Sequence, residues 1–347
     1  MMETVAANSA GVSSIWELRQ IEARPKSRRR LAWERALTAL PAAALVLVLL
    51  QYKLAPNFKT TSVYRTTDIY TWFISAALAC ALAYFAASLA SRRVYERLTR
   101  SAPIYTAVAL LFLGYDRLTL KSGVLPLPYF PWPDKVLSAM YEDRVMLLDC
   151  VKNSLVLLFS GYLTGAAAGL VTGITAGLNK TVLYWVSPLI KVLGPIPSTT
   201  WVPIVLILAT SLFGGSVFLI ALGVWYPVTM TSLNGIQNIR PANFEVARTM
   251  GAGRLRLIFK VAIPSAMPHI FQGLTQGMSM ACAALMVAEM MGVESGLGWY
   301  INWQRGWAEF AKMYSAIIVI CLTFTFVNAV LTQVKRRALR WQEGGAR

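Results

Sequence analysis

Few residues in this sequence could do chemistry, and their spacing limits what it could be. There is one histidine, His269, beside Pro268, and four cysteines, Cys80, Cys150, Cys282 and Cys321, at no spacing that suits a metal or a redox pair. A lone histidine beside a proline near an interface reads as structural. No nucleophile has a base near it, so catalysis by this chain alone is not expected, nor is a metal or a cofactor. The string Gly177-Leu178-Asn179-Lys180-Thr181 lacks the G-x-x-x-x-G-K-[ST] spacing that cradles phosphates, so any ATP chemistry needs another polypeptide. Two acidic residues stand out. Glu289 ends the run ACAALMVAEMMG, where a carboxylate is costly to bury and marks a site worth explaining. Glu245 opens the spacing Glu245-x-Ala247-x-x-x-Gly251 within PANFEVARTMGAGRLRLIFKVAIP, residues 241–264, which closes on Pro264.

That stretch is the longest polar interruption in the second half of the chain. Pro241 suits the first turn of a helix, and Glu245 lies near its positive end. Gly251 and Gly253 can terminate the helix, because glycine accepts the left-handed conformation on which helices often end. A glycine there also lets a partner's backbone come close. On composition alone, a solvated basic connector between two membrane helices fits equally well.

The elements that must position these residues are apolar. Hydrophobic residues make up 56% of the chain and charged ones 14%, far from a soluble average. Long blocks carry no charge, and at roughly 20 residues per crossing they give about eight candidate spans. These fall near 36–52, 70–90, 101–115, 153–179, 200–213, 216–234, 266–291 and 313–334; the block at 101–115 is the shortest. The net charge of +17 invites a nucleic-acid reading. Its distribution argues instead for lipid headgroups, since the eight spans place 23 of the 33 Lys and Arg on the cytoplasmic side and 10 outside. Both termini are then cytoplasmic. Residues 1–35 read as a basic tail with a short helix around Ile15 to Ala23.

Within the core, Gly161, Gly165, Gly169, Gly173 and Gly177 recur every fourth residue, a stripe that permits close helix packing in lipid. Pro195, Pro197 and Pro203 imply a break between a surface helix and the next crossing. Trp299, Trp303 and Trp307 share one helical face, as an interfacial aromatic belt or as a docking surface. Thr229, Ser232, Asn234, Gln272, Thr275 and Gln276 could line a path, or bond within the bundle.

The stretch 241–264 resembles the EAA loop of bacterial ABC-importer permeases, with Val246 where the motif has a second alanine. In that family the loop forms a short cytoplasmic helix that docks on a separate ATPase. The resemblance runs from about residue 103 to about 341. It includes AVALLFLGYDRLTLKSGVLPLPYFPWPDKVLSAM, the PIP…W.P segment and the loop containing Gly296 and Gly298. The sequence is most similar to the nitrate/sulfonate/taurine/bicarbonate subgroup.

The resemblance implies an all-α, polytopic membrane protein of the type I ABC importer permease fold, with a six-helix family core and two additional N-terminal helices. The implied domains are a tail at 1–35, an extension at 36–100, a permease domain at 101–341 and a tail at 342–347. It further implies a bacterial inner-membrane location, ATPase subunits that bind ATP and Mg, a soluble binding protein outside, and a second permease copy. Glu245, Val246, Ala247, Gly251 and Pro264 would couple to the ATPase. Glu289, Thr229, Ser232, Asn234 and Gln276 would serve the path or its gating, Glu289 by hydrogen bonding rather than substrate contact. Gly296, Gly298, Trp299 and Trp303 would form the periplasmic loop. Two other classes stay open: an ion-coupled secondary transporter, which would show inverted repeats and broken helices at matching positions, and a membrane subunit with no transport path.

Overall fold

A computed structural model describes residues 28–58, 66–291 and 293–343, so the helix expected around Ile15 to Ala23 lies outside the described residues. Every regular element among the described residues is helical. Two compact units result. Of the described residues, one holds those up to Leu127 together with Trp132–Asp134, and the other holds Pro128–Pro131 and those from Lys135 onward.

In the first unit, α1 (Arg28–Leu54), α2 (Ile69–Ala90) and α3 (Arg92–Asp116) pack on one another. Small and branched side chains meet at their contacts, among them Ala44, Val48, Ile74, Leu98, Ala102 and Ala109. The loop ends are tied by charge. The Asp134 carboxylate accepts the backbone N–H groups of Thr67 and Tyr70, meeting the orphan donors where α2 begins. The Lys121 ammonium donates to the Tyr52 and Ala55 carbonyls at 2.8 and 2.7 Å, where the end of α1 has carbonyls to spare. The block at 101–115 is the second half of α3, which runs unbroken through Arg93, Arg97 and Arg100 and through Pro103. Compactness therefore joins residues 101–127 to the N-terminal helices, whereas the sequence boundary falls at 100.

After the short α4 (Pro133–Glu142), the second unit is built on α5 (Arg144–Leu178), α8 (Leu212–Gln237) and α11 (Ile263–Met291), with α13 (Phe310–Ala338) beside them. The glycine stripe explains why α5 and α8 touch so closely. A Cβ on Gly161 would lie 2.5 Å from Ile220, one on Gly165 2.4 Å from the Ala221 carbonyl, and one on Gly177 2.7 Å from Ile236. Gly169 and Gly173 face Val228 and Thr229 in the same way. Five glycines thus bring one helix onto the backbone of the next, where lipid offers no hydrophobic drive for association. Across the contact, Thr172 and Thr229 share a hydrogen bond of 2.9 Å, and the Trp225 indole donates to Thr172.

Gly165→Leu is accordingly expected to lower the thermal midpoint of the detergent-solubilised protein, by overpacking worth about 1–3 kcal/mol. Gly114 in α3, with nothing within 4 Å of its added Cβ, supplies the contrast. Gly114→Ala should not lower the midpoint and should raise it slightly, by the helix propensity of alanine over glycine. Equal midpoints for Gly165→Leu and the parent would remove the stripe's structural role.

Six described helices are long and apolar enough to cross a membrane, or seven if one bent pair counts as a span. The sequence expectation of about eight differs at two places. The third span is half of α3, whose basic N-terminal half dilutes its hydropathy. The crossing near 200–213 is only α7 (Val202–Leu208) with the turn Ser198–Trp201, about 10 Å of α-helix at 1.5 Å per residue. It joins α6 (Lys180–Leu193) at 84° across Gly194-Pro195-Ile196-Pro197, where the prolines forbid continuous helix.

Candidate functional site

Residues Pro241–Thr249 form α9, a nine-residue helix with no buried residue. Its start and stop are local chemistry. Pro241 occupies the first turn, where its missing N–H is no loss. At the other end the Gly251 N–H donates to the Arg248 carbonyl at 2.9 Å and the Ala252 N–H to the Ala247 carbonyl at 3.0 Å. This paired closure needs a left-handed residue, and Gly251 has φ +78°. No atom lies within 4 Å of where its Cβ would be, so conformation rather than internal crowding selects glycine. Gly253 does not share this role; its φ is −72°, and it precedes the short α10 (Arg254–Arg256).

One side of α9 holds it to the bundle. Phe244 packs with Ile236, Ala262, Ala266 and Ile270, at the adjoining ends of α8 and α11. The rest faces outward: Glu245 is exposed, Val246 is 60% exposed and Met250, four residues on, is 81% exposed. Further along the chain Leu255 and Phe259 are also exposed, at 71% and 63%. Leu257–Ala262 is a π turn leading into α11. Its position follows from Pro264, which cannot donate to the carbonyl four residues back and whose ring would strike it.

The second arrangement surrounds Glu289, near the far end of α11 and 1% exposed. Ser154 of α5 donates its hydroxyl to Oε1 at 2.6 Å, and the Gly298 N–H donates to Oε2 at 2.7 Å. Ser154 Oγ in turn accepts the Leu297 N–H at 2.9 Å. Both glycines of Gly296-Leu297-Gly298 are needed for the carboxylate to fit. An added Cβ would lie 2.4 Å from Glu289 Oε1 at Gly296, where φ is +141°, and 2.9 Å from the Glu289 Cβ at Gly298. The loop is therefore wrapped on the carboxylate, with both oxygens engaged by the chain itself.

Further ties hold α12 (Leu297–Gly306), the helix that follows. Asn153 bonds Ser295 at 2.7 Å, and Asn302 bonds the Met290 carbonyl at 3.1 Å. The buried Tyr300 hydroxyl donates to Asp143 at 2.6 Å, and Lys312 pairs with the same carboxylate at 3.1 Å. Burial and the Asp143 carboxylate hold the Tyr300 phenol well above its ordinary range. Ser154, Asn153, Asp143, Tyr300 and Lys312 were not among the residues singled out from sequence. Each lies far along the chain from its partner, and no local spacing marks such a pair.

The other expected site residues separate by position. Thr229 and Ser232 are buried at the α5–α8 contact against Gly173, so they bond or pack within the bundle and face no open space. Asn234 and Gln276 are exposed. Trp299, Trp303 and Trp307 do share one face: the first two rings stack at 5.7 Å, and the next pair stands 6.1 Å apart. His269 packs its Cβ toward Gly235. Among the described residues no three of His, Cys, Asp or Glu gather as a metal site.

Residues 166–340 match the model of a family described as the binding-protein-dependent transport system inner membrane component. Over 182 residues the chain is 31% identical to SsuC of Bacillus subtilis (strain 168), named for aliphatic sulfonates transport. That match covers 52% of this chain and 66% of SsuC, just under two thirds of the relative. It is 28% identical over 179 residues to the nitrate import permease protein NrtB of Leptolyngbya laminosa, covering 52% of this chain and 64% of NrtB. It is 26% identical over 173 residues to the taurine transport system permease protein TauC of Escherichia coli (strain K12), covering 50% and 63%. In architecture it is similar to a chain of the MetNI methionine ABC transporter in an inward-facing conformation, with a TM-score of 0.50 at 19% identity. That alignment covers 57% of this chain and 98% of the other, a likeness of fold.

Proposed function

This chain belongs to the family of binding-protein-dependent transport system inner membrane components, and from that premise we propose that it is the permease subunit of an ABC importer for a small anionic solute. Its fold is the all-helical type I permease fold, carried by several membrane-length helices. The observation that most directly supports the reading is α9. It is a short helix, closed by a left-handed glycine, anchored by one phenylalanine at the ends of two core helices and exposed elsewhere, with Glu245, Val246, Arg248 and Met250 all open. An isolated helix of nine residues is marginal in water, so one kept in this form is suited to be gripped by another protein. An ATPase closing on α9 would move the ends of α8 and α11 together, which is how alternating access would be driven.

On this reading ATP and Mg are bound by the ATPase, a soluble binding protein delivers the solute from outside, and a second copy of the chain completes the pathway. Sulfonate, nitrate, taurine or bicarbonate are the solutes named for its relatives. The Lys and Arg distribution supports cytoplasmic termini, with α9 inside and the tryptophan ladder outside.

The test is purification of the full chain from its own membrane. A co-purifying ATPase is expected, and a cysteine at Val246 should crosslink to it, while a cysteine at Trp303 should react with an impermeant reagent in intact cells. Uptake sustained by an ion gradient without any ATPase would replace this reading by a secondary transporter. A chain whose deletion leaves uptake unchanged would be a structural subunit.

A further inference from the structure

The break between α6 and α7 lines a cavity of about 300 Å³ between these helices, α8 and α11. Broken helices mark solute sites in transporters. Here Pro195 and Pro197 make the break, and the cavity opens on it. Its walls are mostly apolar, Met280 and Pro227 included, and no Lys, Arg, His, Asp or Glu lines it. Four side chains supply its polarity: Ser198, Thr199, Tyr226 and Gln276. None of these four makes a side-chain hydrogen bond within the described residues. All four can donate one.

Two glycines shape the walls. An added Cβ at Gly194 would lie 2.3 Å from the Tyr226 ring, and one at Gly223 would lie 2.9 Å from Ser198 Oγ. Tyr226 and Ser198 therefore hold positions that a larger neighbour would deny them. The arrangement is mostly apolar, of ligand size, and lined by a few uncommitted donors.

Resting on the permease reading above, we propose that this cavity is a transit site for a short alkanesulfonate or similar small oxyanion. Ser198, Thr199, Tyr226 and Gln276 hydrogen-bond the head, and the apolar wall takes the aliphatic body. Neutral donors suit transit. A buried Lys or Arg would bind the anion tightly and slow its exit, whereas hydroxyl and amide donors replace water without trapping it. The absence of a carboxylate from the walls leaves nothing to repel the charge.

The test uses the full chain with its four native cysteines replaced, in membranes, carrying Gln276→Cys or Thr199→Cys. Alkylation by N-ethylmaleimide is timed with ethanesulfonate, with ethyltrimethylammonium as the cation of similar size, and without either. A ligand at about ten times a millimolar dissociation constant should slow the reaction about tenfold. Ethanesulfonate is expected to protect both positions and leave Thr249→Cys, on exposed α9, unprotected. Protection by the cation alone would overturn the anion assignment. No protection by either, or thiols that fail to react, would overturn the site. Uptake by the cysteine-replaced parent, measured beside a deletion strain, separates the two failures. If uptake depends on the chain while protection is absent, the site falls and the permease reading stands. If uptake is the same in the deletion strain, the permease reading itself falls.

Discussion

Gly251→Asp is expected to leave the chain in the membrane at normal abundance and to abolish both uptake and substrate-stimulated ATP hydrolysis. The geometry separates two causes that a loss of function would otherwise confuse. The position has φ +78°, so any side chain incurs a left-handed penalty of about 1 kcal/mol. That is too little to unfold a bundle whose core lies elsewhere. The added Cβ meets nothing within 4 Å, so the chain itself has room for aspartate. What remains is the surface on which α9 ends, where bulk and charge would meet the ATPase. Gly251→Asn isolates the terms, because asparagine tolerates the left-handed conformation and carries no charge. It should retain more stimulation than aspartate at matched permease levels in reconstituted vesicles. Glu245→Ala should weaken stimulation without abolishing it. Wild-type uptake and stimulation in Gly251→Asp would leave residues 241–264 an ordinary connector.

Glu289→Ala is expected to lower the thermal midpoint of the purified protein and to stop transport. Its removal strands the Ser154 hydroxyl and the Gly298 N–H in a buried site, at about 1–3 kcal/mol for each group left unsatisfied. It also frees Gly296-Leu297-Gly298, the loop wrapped on it. Glu289→Gln is the informative partner. Its carbonyl can still accept from Gly298, and its NH₂ can donate to the second lone pair of Ser154 Oγ, but the Ser154 hydroxyl proton then loses its acceptor. An intermediate loss of stability, with transport reduced in proportion, follows from a positioning role. Glu289→Gln with full stability but no transport would instead make Glu289 a group that meets the solute.

How much of this could be read from residues alone depends on the range of the interaction. The glycine stripe, the tryptophan ladder and the left-handed turn at Gly251 are written in spacings of three or four residues. The structure has each of those features where the spacing puts it. The surroundings of Glu289 are different. Its partner Ser154 is 135 residues away, and Asp143 and Tyr300 are 157 apart. Nothing periodic links such pairs; they exist only once α5, α11 and α12 are packed. Counting charge-free blocks also fails just beyond the prolines. Pro195, Pro197 and Pro203 announce the break, but the block that follows reads as a crossing near 200–213 where the helix is only Val202–Leu208. Thr229 and Ser232 mislead for a related reason. Polarity on an apolar helix looks like a lining, but a glycine on the facing helix makes the same positions a contact.

The closeness of α5 and α8 has a mechanical consequence. Sliding one helix by a single residue means a displacement of about 1.5 Å. At Gly161, Gly165 and Gly177 the facing atoms already stand where even a methyl group could not be placed. Such a slide would drive the β-carbons of Ile220, Val224 and Val228 into the neighbouring backbone at several points at once. The two helices are keyed together: free to move as a unit, unable to slide one along the other. A push delivered to the end of α8 through Phe244 would then emerge at the far end of α5, beside Ser154 and the loop it fastens.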